Sequence, residues 1–179
     1  MYRARDTNND LWVLPMGGAS RDHRPFVFLQ TSASERSGVF SGDGRWVAYV
    51  SDESGADEIY VRAFIPPAAQ GASPAGPKHL VSNGGGTRPR WGVDGSELFY
   101  MAPAGNVMAV RVTHQSAFDS EPPQRLFQLS SSRLWDVDAT GHRFLLAIPA
   151  GPRTPAPFTV VRNWHQGTEK MRPDLQICS

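Results

Sequence analysis

The sequence predicts an all-β protein, and more narrowly a partial β-propeller of about three and a half four-stranded antiparallel blades. Two observations predict this fold. Gly (17) and Pro (15) fall in clusters between short apolar runs, a punctuation typical of proteins with many turns. A glycine-centred turn also recurs at Gly44, Gly95 and Gly141, spaced 51 and then 46 residues apart. A period of this size is typical of propeller blades.

Each repeat has the strands that a blade needs. Phe40, Trp91 and Val137 lie four positions before the three glycines, and we expect them at equivalent positions, with each glycine taking the positive φ of a tight hairpin. The apolar strand that follows suits burial between two neighbouring blades. The third turn has Thr140 in place of aspartate, which predicts a weaker turn. The later strands are predicted at 46–50, 58–64, 78–82, 98–101, 107–112, 125–129 and 158–164.

The period divides the chain into six segments. They are a lead-in at 1–9, the last two strands of a blade at 10–35, blades at 36–86 and 87–132, a final partial blade at 133–165 and a tail at 166–179. The first blade has strands only at 10–15 and 26–29, so we expect the missing propeller blades in a longer chain. An open arc exposes apolar faces, and we therefore expect the isolated chain to associate through its ends or to be marginally stable.

Composition excludes several functional classes. The formal net charge is +1 with no block of like charge, which argues against a partner such as nucleic acid. We expect no signal peptide and no membrane insertion in this segment, because no apolar stretch is long enough. The lone Cys178 has no partner within the chain for a disulfide, so the sequence leaves the redox compartment undetermined.

Motifs for catalysis and cofactors are missing from the sequence. In the glycine-rich stretch at 71–78, Pro77 stands where a phosphate-binding loop needs lysine, and Gly84-Gly85-Gly86 is interpreted as a loop between blades. The five histidines lack zinc spacing and no Gly-x-Ser-x-Gly elbow occurs. We therefore expect no cofactor, no metal and no catalytic residues in this segment.

Two further groups of residues have a structural and a functional interpretation. The four acids Asp52, Glu53, Asp57 and Glu58 are able to hold a cation, although turn capping is the favoured interpretation. The tryptophans are interpreted as core residues rather than as a ligand cage. They are Trp12, Trp46, Trp91, Trp135 and Trp164.

A ligand would bind where inter-blade loops gather around the central channel. The candidate rim residues are Glu35, Arg36, Arg88, Arg90, Arg133, Trp135 and Asp136. The planar donor fork of arginine suits an anionic or carboxylate-bearing partner. The alternative is that these side chains only solvate the rim.

Four stretches closely resemble the TolB-like propeller repeats that follow the kinase domain of many bacterial Ser/Thr protein kinases. They are residues 10–15, 40–49, 51–55 and 59–62, and the resemblance covers roughly 10–165. It implies a non-catalytic binding or sensor module for a protein, peptide or glycan, in an extracytoplasmic or periplasmic part of a larger kinase-type signalling protein. The alternative is the structural or gating propeller of a serine peptidase whose hydrolase domain is absent here. A kinase domain before the segment, or a hydrolase domain after it, distinguishes the two.

Overall fold

A computed structural model describes residues 8–16, 24–66, 74–113, 118–129, 135–138 and 140–148. These ranges contain β-strands and one 3₁₀ turn at Pro103–Gly105, with no α-helix, and hence no helix that is long and apolar enough to cross a membrane. The strands are β1 (Leu11–Val13), β2 (Phe26–Leu29), β3 (Glu35–Phe40), β4 (Trp46–Ser51), β5 (Glu58–Phe64), β6 (Ala75–Leu80), β7 (Thr87–Trp91), β8 (Glu97–Ala102), β9 (Asn106–Thr113), β10 (Asp119–Ser120), β11 (Gln124–Gln128), β12 (Trp135–Val137) and β13 (Phe144–Leu146).

The strands form four antiparallel sheets, each a meander of consecutive strands. Blade 1 contains β1 and β2, blade 2 contains β3 to β6, blade 3 contains β7 to β11, and blade 4 contains β12 and β13. This arrangement is a partial β-propeller, and it confirms the predicted fold class. The predicted strand at 158–164, the tail, Arg133 and Trp164 lie outside the described residues.

The fourth strand of each complete blade differs from the prediction. In blade 3 it is split into β10 and β11, which both pair with β9 and flank Pro122 and Pro123. Proline has no amide hydrogen to donate to the ladder, so the two prolines interrupt the edge. In blade 2 the strand ends at Leu80 rather than Ser82, because the Ser82 hydroxyl accepts a hydrogen bond from the Ile59 amide at 2.7 Å.

The apolar cores lie between the blades rather than within one sheet. Along β4, Val47 and Tyr49 pack toward blade 1, whereas Ala48 and Val50 pack toward blade 3. Strand β8 repeats the alternation, since Tyr100 packs toward blade 2 and its neighbours pack toward blade 4. Both faces of these central strands are therefore buried, as their continuous apolar character predicts.

The three repeats superpose in register. The glycines of the turns have φ values of 70°, 72° and 71°. Their amides donate to the carbonyl three residues earlier at 2.9, 3.0 and 3.0 Å. Phe40, Trp91 and Val137 each end the first strand of a blade and pair with the residue seven positions later, namely Val47, Leu98 and Phe144. Their predicted equivalence is confirmed.

The third turn also contains an aspartate: Thr140 stands directly before the glycine, where the other two turns have aspartate, and Asp138 lies two positions earlier. In the first turn the Asp43 carboxylate accepts a hydrogen bond from the Ser41 hydroxyl at 2.6 Å. Burial opposes ionisation of Asp43, but hydrogen bonds from Ser41 and Arg45 hold its pKa well below the usual range. In the third turn Asp138 accepts from the Thr140 hydroxyl at 2.8 Å, so the carboxylate and hydroxyl have exchanged positions. The prediction of a weaker turn overlooked Asp138.

One tryptophan departs from the expectation of core packing. Trp12 in β1 is 55% exposed. It occupies the face of blade 1 that points away from blade 2, because its neighbours Leu11 and Val13 pack into the core between these blades. Trp135 is buried as predicted, whereas Trp46 and Trp91 are half-buried against the core between blades 2 and 3.

Candidate functional site: the axial rim

The first strands of the blades lie side by side. Strand β7 contacts both β3 and β12, and the indole nitrogen of Trp91 donates to the Val39 carbonyl at 3.2 Å. Equivalent strands of a propeller run in the same direction around its axis. The amino-terminal ends of these strands therefore gather at one end of the molecule, which we call the axial rim. Glu35, Arg36 and Arg88 lie at or near these amino-terminal ends, while Arg90 and Asp136 lie farther along β7 and β12, one residue before each strand ends. The name axial rim covers both groups.

Two of the inner strands bulge at equivalent positions. The register of β3 shifts between Arg36 and Val39, and that of β7 shifts between Thr87 and Arg90. Ser37 and Arg88 each have a φ of 54°, in the left-handed region that non-glycine residues seldom occupy. Such a conformation costs about 1–3 kcal/mol and is over-represented at binding sites. The bulges mark this part of the inner strands as the strained element of the repeat.

An ion pair flanks the bulge of β3. The Arg36 guanidinium pairs with the Asp57 carboxylate, which lies in the loop between β4 and β5. The Asp57 carbonyl accepts a hydrogen bond from the Gly86 amide at 2.7 Å. The loop between β6 and β7 is thereby tied to the rim beside Arg36.

The loop between β6 and β7 is fixed by a buried carboxylate. Glu58 accepts hydrogen bonds from the Gly85 amide at 2.9 Å and from the Ser82 hydroxyl. A Cβ atom at Gly86 would lie 2.6 Å from Ile59 Cγ1, so only glycine fits. The prediction that the triple glycine forms a loop between blades is confirmed, and this loop leads directly to Arg88.

The other acids of the predicted cation loop have separate partners. Asp52 accepts from the Ser34 amide at 2.9 Å, and Glu53 forms an ion pair with Lys78. Together with the contacts of Asp57 and Glu58, these bonds tie neighbouring strands and blades, rather than capping one turn. Among the described residues no three metal-ligating side chains form a group able to hold a metal ion.

A second ion pair joins the inner strands of blades 3 and 4. Arg90 Nε lies 3.3 Å from Asp136 Oδ1, and the same guanidinium donates to the Pro89 carbonyl at 2.8 Å. Both side chains are substantially exposed, so solvent screens the pair and it adds little to stability. Its effect is to orient Arg90 beside the bulge of β7.

Arg88 differs from the two arginines that flank it. It is half-buried, and within the described part of the chain it makes no hydrogen bond or ion pair. A guanidinium without a carboxylate partner keeps its donor fork available for an anion. Among the rim residues that the structure describes, Arg36 and Arg90 are thus paired with carboxylates within the molecule, and Arg88 is not.

Two candidate rim residues are buried instead of facing solvent. Glu35 is 1% exposed, its amide donates to the Asn9 carbonyl at 2.7 Å, and its carboxylate accepts from Thr31. Trp135 lies in the core between blades 3 and 4, with its ring centre 6.0 Å from that of Phe144. Burial makes both residues supports of the rim. Of the candidate residues that the structure describes, those left to contact a ligand are Arg36, Arg88, Arg90 and Asp136.

The opposite end of blades 3 and 4 carries a cleft of about 650 Å³ that the sequence did not reveal. Its lining includes Asp94, Glu97, Arg111 and His142. Burial raises the pKa of Glu97, and the negative charge of Asp94 raises it further, while Arg111 and His142 oppose the shift. Glu97 opens an apolar strand, so no sequence pattern identified it as a cleft residue.

Comparison with known protein families gives no match, and comparison with curated proteins gives none. Among solved structures, TolB from Acinetobacter baumannii is similar, with a TM-score of 0.39 and 16% sequence identity. The match covers 78% of this chain and 43% of TolB, so the chain spans less than half of the length of TolB. Similarity at this level is too weak to support an argument about function.

Proposed function

We propose that this chain is a non-catalytic binding module of the propeller type, which uses its axial rim to bind an acidic segment of a protein or peptide. The observation that carries the proposal is the position of Arg88. It has a left-handed backbone conformation, and the two other described arginines of the rim, Arg36 and Arg90, are already paired with carboxylates. Arg88 therefore combines a left-handed backbone with a guanidinium that has no partner among the described residues.

The chemistry of the rim favours a carboxylate ligand over a neutral glycan. A charge-assisted hydrogen bond contributes about 1.5–3 kcal/mol, and a bidentate arginine fixes the orientation of the carboxylate. Asp57 and Asp136 offset the positive charges of Arg36 and Arg90. The charge available to the ligand is therefore that of Arg88. Binding that rests on Arg88 should therefore weaken as salt rises.

The proposal is tested by fluorescence anisotropy with a labelled decaglutamate peptide and its polyglycine counterpart. Arg88→Gln should weaken decaglutamate binding about 10- to 100-fold, the equivalent of about 1.5–3 kcal/mol. Arg125→Gln is the matched control, because it removes the same charge from an exposed position on β11, the outer strand of the same blade. Equal losses for the two variants, or no preference for decaglutamate over polyglycine, would disprove an anion site at Arg88.

The parent protein is proposed to be a bacterial kinase-type signalling protein, on the resemblance of roughly residues 10–165 to kinase-attached repeats. The alternative, a gating propeller of a serine peptidase, predicts a hydrolase domain in the parent chain. Assays of the purified chain for ATP-dependent phosphorylation and for ester and peptide hydrolysis test the non-catalytic part of the proposal. Turnover that one polar substitution abolishes would overturn it.

A further inference from the structure

The cleft at the end of blades 3 and 4 that lies away from the axial rim has two walls. Blade 3 forms one wall, with Asp94 in the turn between β7 and β8, Glu97 at the start of β8 and Arg111 near the end of β9. The turn between β12 and β13 forms the other wall, with Gly141 and His142. The cleft volume of about 650 Å³ lies within the range of small-molecule sites, about 300–1,000 Å³. The cleft therefore has the size and the converging polar groups of a ligand site.

Glu97 occupies a position that is aromatic in the preceding blade. Glu97 and Trp46 each follow a turn glycine by two positions and begin the second strand of a blade. On the neighbouring third strand, Trp46 pairs with Ala63 and Glu97 pairs with Arg111. The Trp46 side chain packs against the core between blades 2 and 3. The face that blade 3 turns toward blade 4 thus has a carboxylate and a guanidinium where blade 2 has an indole and a methyl group.

The Glu97 carboxylate reaches across to the turn of blade 4. A Cβ atom at Gly141 would lie 3.0 Å from Glu97 Oε2, so the missing side chain of this glycine leaves space for the carboxylate. Glu97 is 9% exposed, and a carboxylate at such a position is costly to ionise unless positive charge lies near it. Burial and then the negative charge of Asp94 raise the pKa of Glu97, and the charges of Arg111 and His142 do not cancel this effect.

The charges that line the cleft favour a cationic ligand. Two carboxylates, Asp94 and Glu97, lie in the cleft with one guanidinium, Arg111, which leaves a net negative charge while His142 is neutral. Arg111 also forms an ion pair at 3.8 Å with Glu121, a residue outside the cleft. A ligand with one positive charge would balance the lining, whereas an anion would add to the excess of negative charge.

We propose that this cleft binds a primary ammonium group on a short apolar stem, carried either by a free alkylamine or by a lysine side chain. The ammonium group has three N–H donors, so it is able to donate to the Glu97 carboxylate while Asp94 adds attraction. Val93, an exposed apolar residue of the lining, offers a contact for the methylene groups of the stem. The site is separate from the axial rim and does not depend on the function proposed for it.

NMR titration of the whole chain tests the site, with hexylamine as the charged probe and hexanol as its uncharged counterpart. Hexylamine should shift the amide signals of Glu97 and Gly141 most, and hexanol should bind about 10- to 100-fold more weakly because it lacks the charge. Glu97→Gln should weaken hexylamine binding about 10- to 100-fold for the same reason. Glu53→Gln is the matched control, because it removes the same charge from the loop between β4 and β5, which lies at the axial rim.

The carboxyl signal of Glu97 gives a second measurement that requires no variant. An ammonium ion beside Glu97 stabilises the ionised form, so bound hexylamine should lower the pH at which this signal titrates. A purely structural role of Glu97 would leave that pH unchanged. Nα-acetyl-lysine amide distinguishes the two sources of the ammonium group. Its binding alongside hexylamine would assign the site to a lysine side chain, and binding of hexylamine alone would assign it to a free amine.

Four results would overturn the proposal. They are no binding of hexylamine to the native chain, equal affinities for hexylamine and hexanol, equal losses for Glu97→Gln and Glu53→Gln, and a Glu97 titration that hexylamine does not move. Arg88→Gln should leave hexylamine binding unchanged, and a loss equal to that of Glu97→Gln would contradict a site separate from the axial rim.

Discussion

Replacing Gly86 with alanine tests how the loop between β6 and β7 is held against blade 2. The new Cβ would lie 2.6 Å from Ile59 Cγ1, 2.9 Å from Ser82 Cβ and 3.0 Å from Ser82 Oγ. Displacing Ser82 breaks its 2.7 Å hydrogen bond from the Ile59 amide and its bond to Glu58. Overpacking costs about 1–3 kcal/mol, and a buried polar group left without a partner costs about 1–3 kcal/mol more. We therefore expect a loss of about 2–6 kcal/mol in the free energy of unfolding.

Urea denaturation followed by tryptophan fluorescence measures this loss as a lower midpoint at an unchanged slope. Gly92→Ala is the control, because its Cβ would meet only ordinary contacts, the nearest at 3.5 Å from Glu97 Cβ. We expect the control to keep its stability or gain up to about 1 kcal/mol, because Gly92 does not have a positive φ and alanine restricts the unfolded chain. Equal midpoints for Gly86→Ala and the native chain would show that the loop moves away freely, and would refute the account of how Arg88 is positioned.

Two further predictions concern the junction of blades 3 and 4. Phe99→Ala should lower the free energy of unfolding by about 3–5 kcal/mol, because loss of the fully buried ring leaves a cavity. The ring centre of Phe99 lies 5.5 Å from that of Phe144. A loss below about 1 kcal/mol in urea denaturation would contradict this packing. Burial raises the pKa of Glu97 in the folded state, so the protonated side chain contributes stability at low pH. This contribution to the free energy of unfolding is lost as the pH rises through the folded-state pKa of Glu97. Glu97→Gln should therefore gain stability over the native chain between about pH 4 and pH 7, and an equal difference at both pH values in thermal unfolding would contradict the shift.

The sequence predicts the blades well because the signals of the blade are local. Glycine is the residue that readily adopts the positive φ of the three turns, so Gly44, Gly95 and Gly141 fix the period and the strand register. The bulges are different, because neither Ser37 nor Arg88 is a residue type that indicates a left-handed conformation. Both φ values occur at bulges in the pairing of the first and second strands of a blade, and no local pattern of the sequence indicates these bulges.

The site was less predictable than the fold for a related reason. Glu35 and Arg36 are adjacent charged residues, yet the structure buries the first and leaves the second in a half-exposed ion pair. Which of them faces solvent depends on Thr31 and Asp57, at the ends of loops whose paths follow from tertiary packing. The Arg90 pair with Asp136 likewise joins two repeats whose distance in space the sequence does not give.

The location of the cores between blades determines how the molecule comes apart. Because β4 and β8 each contribute to two cores, blades 2 and 3 are held from both sides, while blades 1 and 4 are held from one side within the described chain. Stability in such an array is a sum of nearest-neighbour terms. Opening should therefore spread inward from the outer sheets, and amide hydrogens of β4, β5, β8 and β9 should exchange with solvent last.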